Sequence, residues 1–296
     1  MAIKHNKARF IVVWFGELPD YFNIFLKSCK YNSYFEWVVL TDQDTTKYNP
    51  PKNVLFKSIT PQHFLKLARK RLGSTVQTLD TDPRKITDFK PFYSLLFPEL
   101  VKNYKYYGHC DIDIIWGDMS IIIDMCDIYH IISSRRAAAS GHLMLFHHDS
   151  KVIESLAKNK YKIKYVDEAL SSDKFIRLDE AGFTNHVTRH QCDTGEEIFW
   201  DWGLCNFTRK EIYERVPRDW LLSKKNNDHG NGYSDYPWSD KTGCWRWSKG
   251  KLYTPNEKEI AYLHYLTCKQ DVEMRGCVDK SEEMYICIKD DTSMYI

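Results

Sequence analysis

Short β-rich runs alternate with helix-patterned stretches along the first part of the chain, and this alternation limits the fold more than any other feature. "RFIVVWFG" (9–16) is a β-rich run closed by glycine, and "DYFNIFLKSCKYN" (20–32) follows with apolar residues at helical spacing and Asp20 as its candidate cap. "FEWVVLTD" (35–42) and "NVLFKSI" (53–59) read as the second and third strands. Thr60 and Pro61 then open a helix that runs to about Leu72, where Gly73 stops it. Strand and helix alternating at this spacing predict a mostly parallel sheet wound with helices.

Further along, "TDFKPFYSLLFPELVKNY" (87–104) is helix-patterned but carries Pro91 and Pro98, so two short pieces are expected. They deliver the chain to a strand at Tyr104. "DIYHIIS" (127–133), "GHLMLFHH" (141–148) and "EIAYLHYLTC" (259–268) are further strand candidates. From Asp201 onward the texture changes. The stretch 224–253 is polar, glycine-bearing and aromatic, which predicts a long excursion or a less regular lobe. The expected organisation is an α/β portion over 1–200 with an aromatic-rich portion over 201–296 packed on it, together one domain.

At 296 residues, 43% of them apolar and 15% aromatic, the chain can bury a sizeable core. Its net charge of +2 gives no electrostatic footprint for nucleic acid, and the basic run Lys66 to Arg71 reads as a solvated helix face. Nine cysteines, odd in number and never spaced as CxxC, suggest neither a zinc site nor a disulfide framework, so reduced thiols are expected. No apolar run reaches transmembrane length, and an intracellular soluble protein is expected.

"KYYGHCDIDIIWGD" (105–118) places Asp111, Asp113 and Asp118 where a buried strand is ending. Carboxylates are costly to desolvate unless something positive meets them, and in open α/β sheets ligands bind outside the carboxyl ends of strands. The period of two puts Asp111 and Asp113 on one face, ~7 Å apart along an extended chain. With waters and phosphate oxygens, two such carboxylates suit Mg²⁺ or Mn²⁺. A solvated turn carrying three acids fits the same string. His109 falls on the opposite face, in the core or behind the site.

In order along the chain, "WVVLTD", "TDFKPFYSLLFPEL", "YYGHCDIDIIWGD", "GHLMLFHHD", "RLDEAGF" and "IAYLHYL" resemble a family of bacterial and viral proteins similar to GT-A-type glycosyltransferases. The resemblance covers most of residues 9–268 and is specific at the Gly-His-Cys-Asp-x-Asp core. It implies a GT-A-like, Rossmann-type, mostly parallel sheet flanked by helices, with an irregular C-terminal acceptor lobe. It also implies a hexosyl- or pentosyltransferase of polysaccharide biosynthesis, cytoplasmic in a bacterium or in a virus-infected host cell. Its partners would be a nucleotide-sugar donor and a glycan acceptor.

Carried onto this sequence, the resemblance puts Phe15, Gly16, Asp42, Asp88, Lys90 and Asp111 on the donor. It puts Mn²⁺ (or Mg²⁺) on Asp111 and Asp113, with His264 as the third ligand. Plainer readings stand beside these: a strand-end turn acid for Asp42, a local ion pair for Asp88 and Lys90, a core histidine for His264. In "LDEAGF", Asp179 or Glu180 could be the base of an inverting transfer, and a helix N-terminal acidic pair fits equally. Trp245 and Trp247, with Tyr233, Tyr236, Trp238 and Tyr253, could stack on acceptor sugar rings or form the small core of a lobe.

Two other functions compete. A strand ending in Asp-x-Asp also fits a phosphohydrolase of the haloacid-dehalogenase type, but Ile115 stands where that pattern wants Thr or Val, and the motif lies late in the chain. A glycan-binding module on an inactive transferase fold is the third reading, against which the intact Asp111 and Asp113 argue.

Overall fold

A computed structural model describes residues 8–126, 128–134, 138–200, 244–253, 257, 259–264, 272–275 and 282–288. The chain opens with β1 (Ala8–Trp14), α1 (Phe22–Cys29), β2 (Phe35–Thr41), β3 (Val54–Ser58) and α2 (Pro61–Leu72). A 3₁₀ segment (Pro83–Phe92) leads into the short helices α3 (Tyr93–Leu96) and α4 (Pro98–Val101), then β4 (Tyr106–Cys110) and β5 (Ile114–Trp116). After α5 (Ser120–Met125) come β6 (Ile131–Ser133), β7 (Leu143–His147), α6 (Val152–Ala157) and α7 (Lys164–Ser171). A π-helical turn (Leu178–Gly182) runs directly into α8 (Phe183–Thr194) and β8 (Ile198–Trp200). The later strands are β9 (Cys244–Ser248), β10 (Lys251–Tyr253), β11 (Glu259–Ile260), β12 (Tyr262–His264), β13 (Val272–Arg275) and β14 (Glu283–Ile288).

The first five expected elements form where local pattern put them. Thr60 accepts the His63 N–H at 3.2 Å, Pro61 occupies the first turn, and Gly73 closes α2 in the left-handed region. Asp20 does not cap α1. The helix starts after Tyr21, and the Phe22 N–H bonds to the Pro19 carbonyl at 2.9 Å. The prolines break 83–101 into a 3₁₀ segment and two single-turn helices, one piece more than expected.

The main sheet has seven strands in the order β3-β2-β1-β4-β7-β6-β8. The strands β1 to β4, β6 and β8 run one way, and β7 runs against both its neighbours. The period of two splits the core between the two faces. Phe10, Val12, Trp37 and Val39 point to one side, against α1, α5 and β5; Ile11, Val13, Val38 and Leu40 point to the other, against α2, α3, α6 and α8. Each of these fully buried side chains stabilises the fold by about 1.5–3 kcal/mol. Phe10 stacks with Phe35, Trp37 and Trp116 at centroid separations of 5.7, 5.7 and 5.8 Å, tying β5 to the sheet face.

The expected irregular lobe is, in its described part, regular. Strands β11-β10-β9-β14-β13 make a five-stranded sheet whose pairings are all antiparallel. The run 259–268 was expected as one strand; it divides into β11, in that sheet, and β12, which pairs antiparallel with β5. Cys29, Cys110, Cys126 and Cys192 are free thiols. Among the described residues no helix is long and apolar enough to cross a membrane.

Candidate metal centre

Asp111, Ile112 and Asp113 make the turn from β4 to β5, at the carboxyl end of a central strand. Two pairings bring distant residues to this turn. On one side the Asp111 N–H donates to the His142 carbonyl at 2.9 Å, extending the β4–β7 register in which Cys110 faces Leu143. On the other, the β5–β12 register sets His264 opposite Ile114, the residue after Asp113.

One ligand atom each from Asp111, Asp113 and His264 fall within 4.8 Å of one another. His264 Nε2 lies 3.4 Å from Asp113 Oδ1 and 3.9 Å from Asp111 Oδ2. That nitrogen is buried and has no hydrogen-bond partner among the described residues. A proton on it would pair it with the acids, whereas a divalent cation would be held by all three side chains. Two carboxylate oxygens suit Mn²⁺ or Mg²⁺, and the imidazole nitrogen beside them favours Mn²⁺. Asp118 takes no part, since its carboxylate accepts the Ser120 N–H at 2.9 Å at the start of α5.

A buried lysine joins this group to a second carboxyl. Lys90 Nζ donates to Asp111 Oδ1 at 2.5 Å and to the Gly141 carbonyl at 2.7 Å, and lies 3.6 Å from Asp179 Oδ2. Burial works against the lysine charge, but Asp111, Asp179 and Asp113 outweigh it and raise the pKa. Engaging Oδ1 leaves Asp111 Oδ2 as the oxygen on the His264 side. Burial pushes the Asp179 carboxyl up to about 7, against the pull of Lys90 and with the push of Glu180 and Asp111. Asp179 Oδ1 is buried without a hydrogen-bond partner among the described residues.

Local backbone turns Asp179 inward. Arg177 is left-handed at φ 63°, a strained setting for a residue with a Cβ, and the π-helical turn follows it. Asp88 holds the strained stretch by accepting the Ile176 and Leu178 N–H groups at 2.9 and 2.8 Å. Lys85 secures Asp88 in turn, 3.0 Å away, with both side chains fully buried. Gly141 completes the fit, because a Cβ there would stand 2.7 Å from Asp179 Oδ2.

The sequence expectations divide accordingly. Asp111, Asp113 and His264 are brought together, and Lys90 and Asp179 join them. Lys90 pairs with Asp111, not with Asp88, whose carboxylate is spent on Lys85 and the loop backbone. Glu180 remains half-buried in the same turn. Phe15, Gly16 and Asp42 meet at the ends of β1 and β2: the Gly16 N–H donates to Asp42 Oδ1 at 3.0 Å, and Phe15 sits edge-on to Phe64 at 5.9 Å. His109 is fully buried with Nε2 3.1 Å from the Ser140 carbonyl, and burial with the nearby Lys90 charge pushes it down to about 3.

Trp245 and Trp247 correct the expectation of an acceptor platform. They are 4% and 0% exposed, and pack with Ile115, Leu252, Ile260 and Met284 between the small sheet and β5. Trp247 Nε1 donates to the Trp116 carbonyl at 2.8 Å, so no ring face is left for a sugar. Tyr233, Tyr236 and Trp238 lie outside the described residues. Sequence reasoning missed Lys85, Gly141 and His142; only "GHLMLFHH" pointed to the last two, and it did so as a strand.

No curated protein matches the sequence. The profile of a family of unknown function, DUF6625, matches residues 10–294, nearly the whole chain, and the protein belongs to that family.

Proposed function

We propose that the protein is a metal-dependent glycosyltransferase, moving a sugar from a nucleotide-diphosphate sugar to a glycan acceptor. The observation that carries this reading is the grouping of Asp111, Asp113 and His264 at the carboxyl end of β4, beside the buried Asp179 carboxyl. Asp111, Asp113 and His264 would hold Mn²⁺ or Mg²⁺, which supplies charge neutralisation for a departing diphosphate. Phe15, Gly16 and Asp42, at the neighbouring strand ends, would receive the nucleoside.

Lys90 has two short acceptors, one of them a carboxylate oxygen, and a second carboxylate oxygen within reach, so it serves the site by holding Asp111 and Asp179 in place. Asp179 is the proposed base. With its carboxyl near 7 it can both lose its proton around neutral pH and take one from a sugar hydroxyl, the balance that general-base catalysis needs. A hydroxyl placed against Oδ1 would supply the partner that oxygen lacks among the described residues. Asp88 and Lys85 hold the turn that presents it, and Glu180 is the second acid of the pair.

The test is a thermal-shift panel of nucleotide sugars with and without Mn²⁺, followed by product analysis. A donor at a hundred times its Kd should add about 2.7 kcal/mol of stability. One nucleotide sugar should shift the midpoint only when Mn²⁺ is present, and the transferred sugar should be inverted at its anomeric carbon. A panel with no metal-dependent shift refutes the reading; a retained configuration removes Asp179 as base.

A further inference from the structure

His142 borders the candidate metal centre and has no part in the chemistry proposed above. It precedes β7, and its carbonyl accepts the Asp111 N–H, so its side chain stands next to the first acid of the group. The imidazole lies flat against His264, with centroids 4.1 Å apart and planes 16° from parallel. Both of its nitrogens are already engaged. Nδ1 is 3.0 Å from Ser140 Oγ, and Nε2 is 3.0 Å from the Tyr262 hydroxyl and 3.1 Å from Ser134 Oγ. Hydroxyls donate and accept, so either tautomer satisfies this arrangement. His142 is therefore built into place and is not itself a ligand.

Tyr262 and His264 are two residues apart on β12, and side chains so spaced share a face of the strand. One strand thus carries both the ring to be oriented and the hydroxyl that pins its stacking partner. A ligating histidine needs its ring plane fixed so that the nitrogen lone pair meets the ion, and the usual device is a hydrogen bond on the other ring nitrogen. The described residues supply a stacked ring.

We propose that His142 is a positioning residue, a pinned imidazole whose face sets the plane of His264 toward Asp111 and Asp113 for a divalent cation. This rests on the reading of Asp111, Asp113 and His264 as a metal centre. The stacking accounts for a histidine placed beside the centre with both its nitrogens turned to Ser140, Ser134 and Tyr262.

Two variants separate the ring from its hydrogen bonds. His142→Phe keeps a flat ring and loses the polar contacts; His142→Gln keeps polar groups and loses the ring. Calorimetric titration with Mn²⁺ alone is the first readout. The His264 ring-proton resonances of the metal-free protein are the second, because a stacked ring shifts them upfield.

His142→Gln should weaken Mn²⁺ binding about 10–100-fold, the usual cost of losing support behind a ligand, while His142→Phe stays within about threefold of the original protein. The upfield shift should vanish in the Gln variant and persist in the Phe variant. Wild-type affinity in a folded His142→Gln protein overturns the inference, as does equal weakening in both variants, which would place the effect in the hydrogen bonds. If the unaltered protein takes up no Mn²⁺, the metal reading itself fails and the inference goes with it.

Discussion

Replacing Lys90 by methionine tests the electrostatics of the site without opening a large cavity, since the two side chains are of similar length. The lysine side chain is 8% exposed; its ammonium donates to Asp111 Oδ1 at 2.5 Å and the Gly141 carbonyl at 2.7 Å and lies 3.6 Å from Asp179 Oδ2. Breaking a buried pair by removing one partner costs about 3–5 kcal/mol. Asp111, with 27% of its side chain exposed, can be rehydrated, so the loss falls mainly on Asp179, at 5%, and on the Gly141 carbonyl. The carbonyl alone accounts for about 1–3 kcal/mol.

The pH dependence follows from Asp179. Its folded pKa, about 7, lies above the unfolded carboxylate value near 3.9, so its ionisation opposes folding and stability falls as pH rises through that window. Lys90 lowers that pKa; without the lysine the folded value climbs and the falling window extends to higher pH. The penalty of Lys90→Met should therefore be about 3–5 kcal/mol at pH 8 and shrink toward the carbonyl's share at pH 6. Urea denaturation in chelator at the two pH values measures it. An unchanged midpoint at pH 8, or a penalty equal at both, would refute the reasoning.

Asp111→Asn, Asp113→Asn and His264→Ala should each remain folded and lose Mn²⁺ uptake by calorimetry; full uptake in any one removes that residue from the centre. Asp179→Asn should gain on the unaltered protein by up to about 4 kcal/mol as pH rises from 4 to 8, because an amide escapes the cost of ionising in a buried site. Parallel stability curves for the two proteins would show that Asp179 ionises unhindered. Trp247→Ala should cost about 3–5 kcal/mol, as large-to-small changes in cores do, measured by thermal or urea unfolding. A fully stable variant with an impaired acceptor KM would restore the platform. Asp88→Asn should lower kcat with little change in donor affinity, since it loosens the turn that presents Asp179; an unaltered kcat would detach that turn from catalysis.

What was legible in the sequence was what local chemistry decides. β1 to α2 follow from alternation, a Thr-Pro start and a glycine stop, none of which needs the rest of the chain. Asp111 and Asp113 were readable because two acids at the end of a buried strand are costly without a cation. Strand direction was not readable, because a period of two is the same in either sense, and so β7 came as the antiparallel member of a sheet expected to be mostly parallel. His264 was reached through resemblance alone, since its place beside Asp113 depends on the β5–β12 register. The partner of Lys90 was not readable for a related reason. Asp88 is its near neighbour in sequence, but the 3₁₀ segment sets Lys85 against Asp88 at a spacing of three and frees Lys90 for Asp111. The tryptophans read as platform or core alike, because a flat ring suits both until burial decides.

In the proposed function, Asp111, Asp113 and His264 hold a divalent cation for a nucleoside diphosphate group. Anomalous diffraction at the manganese edge, from crystals grown with Mn²⁺ and a nucleoside diphosphate, tests it most directly. One strong peak is expected, bounded by Asp111 Oδ2, Asp113 Oδ1 and His264 Nε2, with diphosphate oxygens completing its shell and the nucleoside toward Asp42. A diphosphate bound without a peak at that position, or a peak held by other residues, would contradict it.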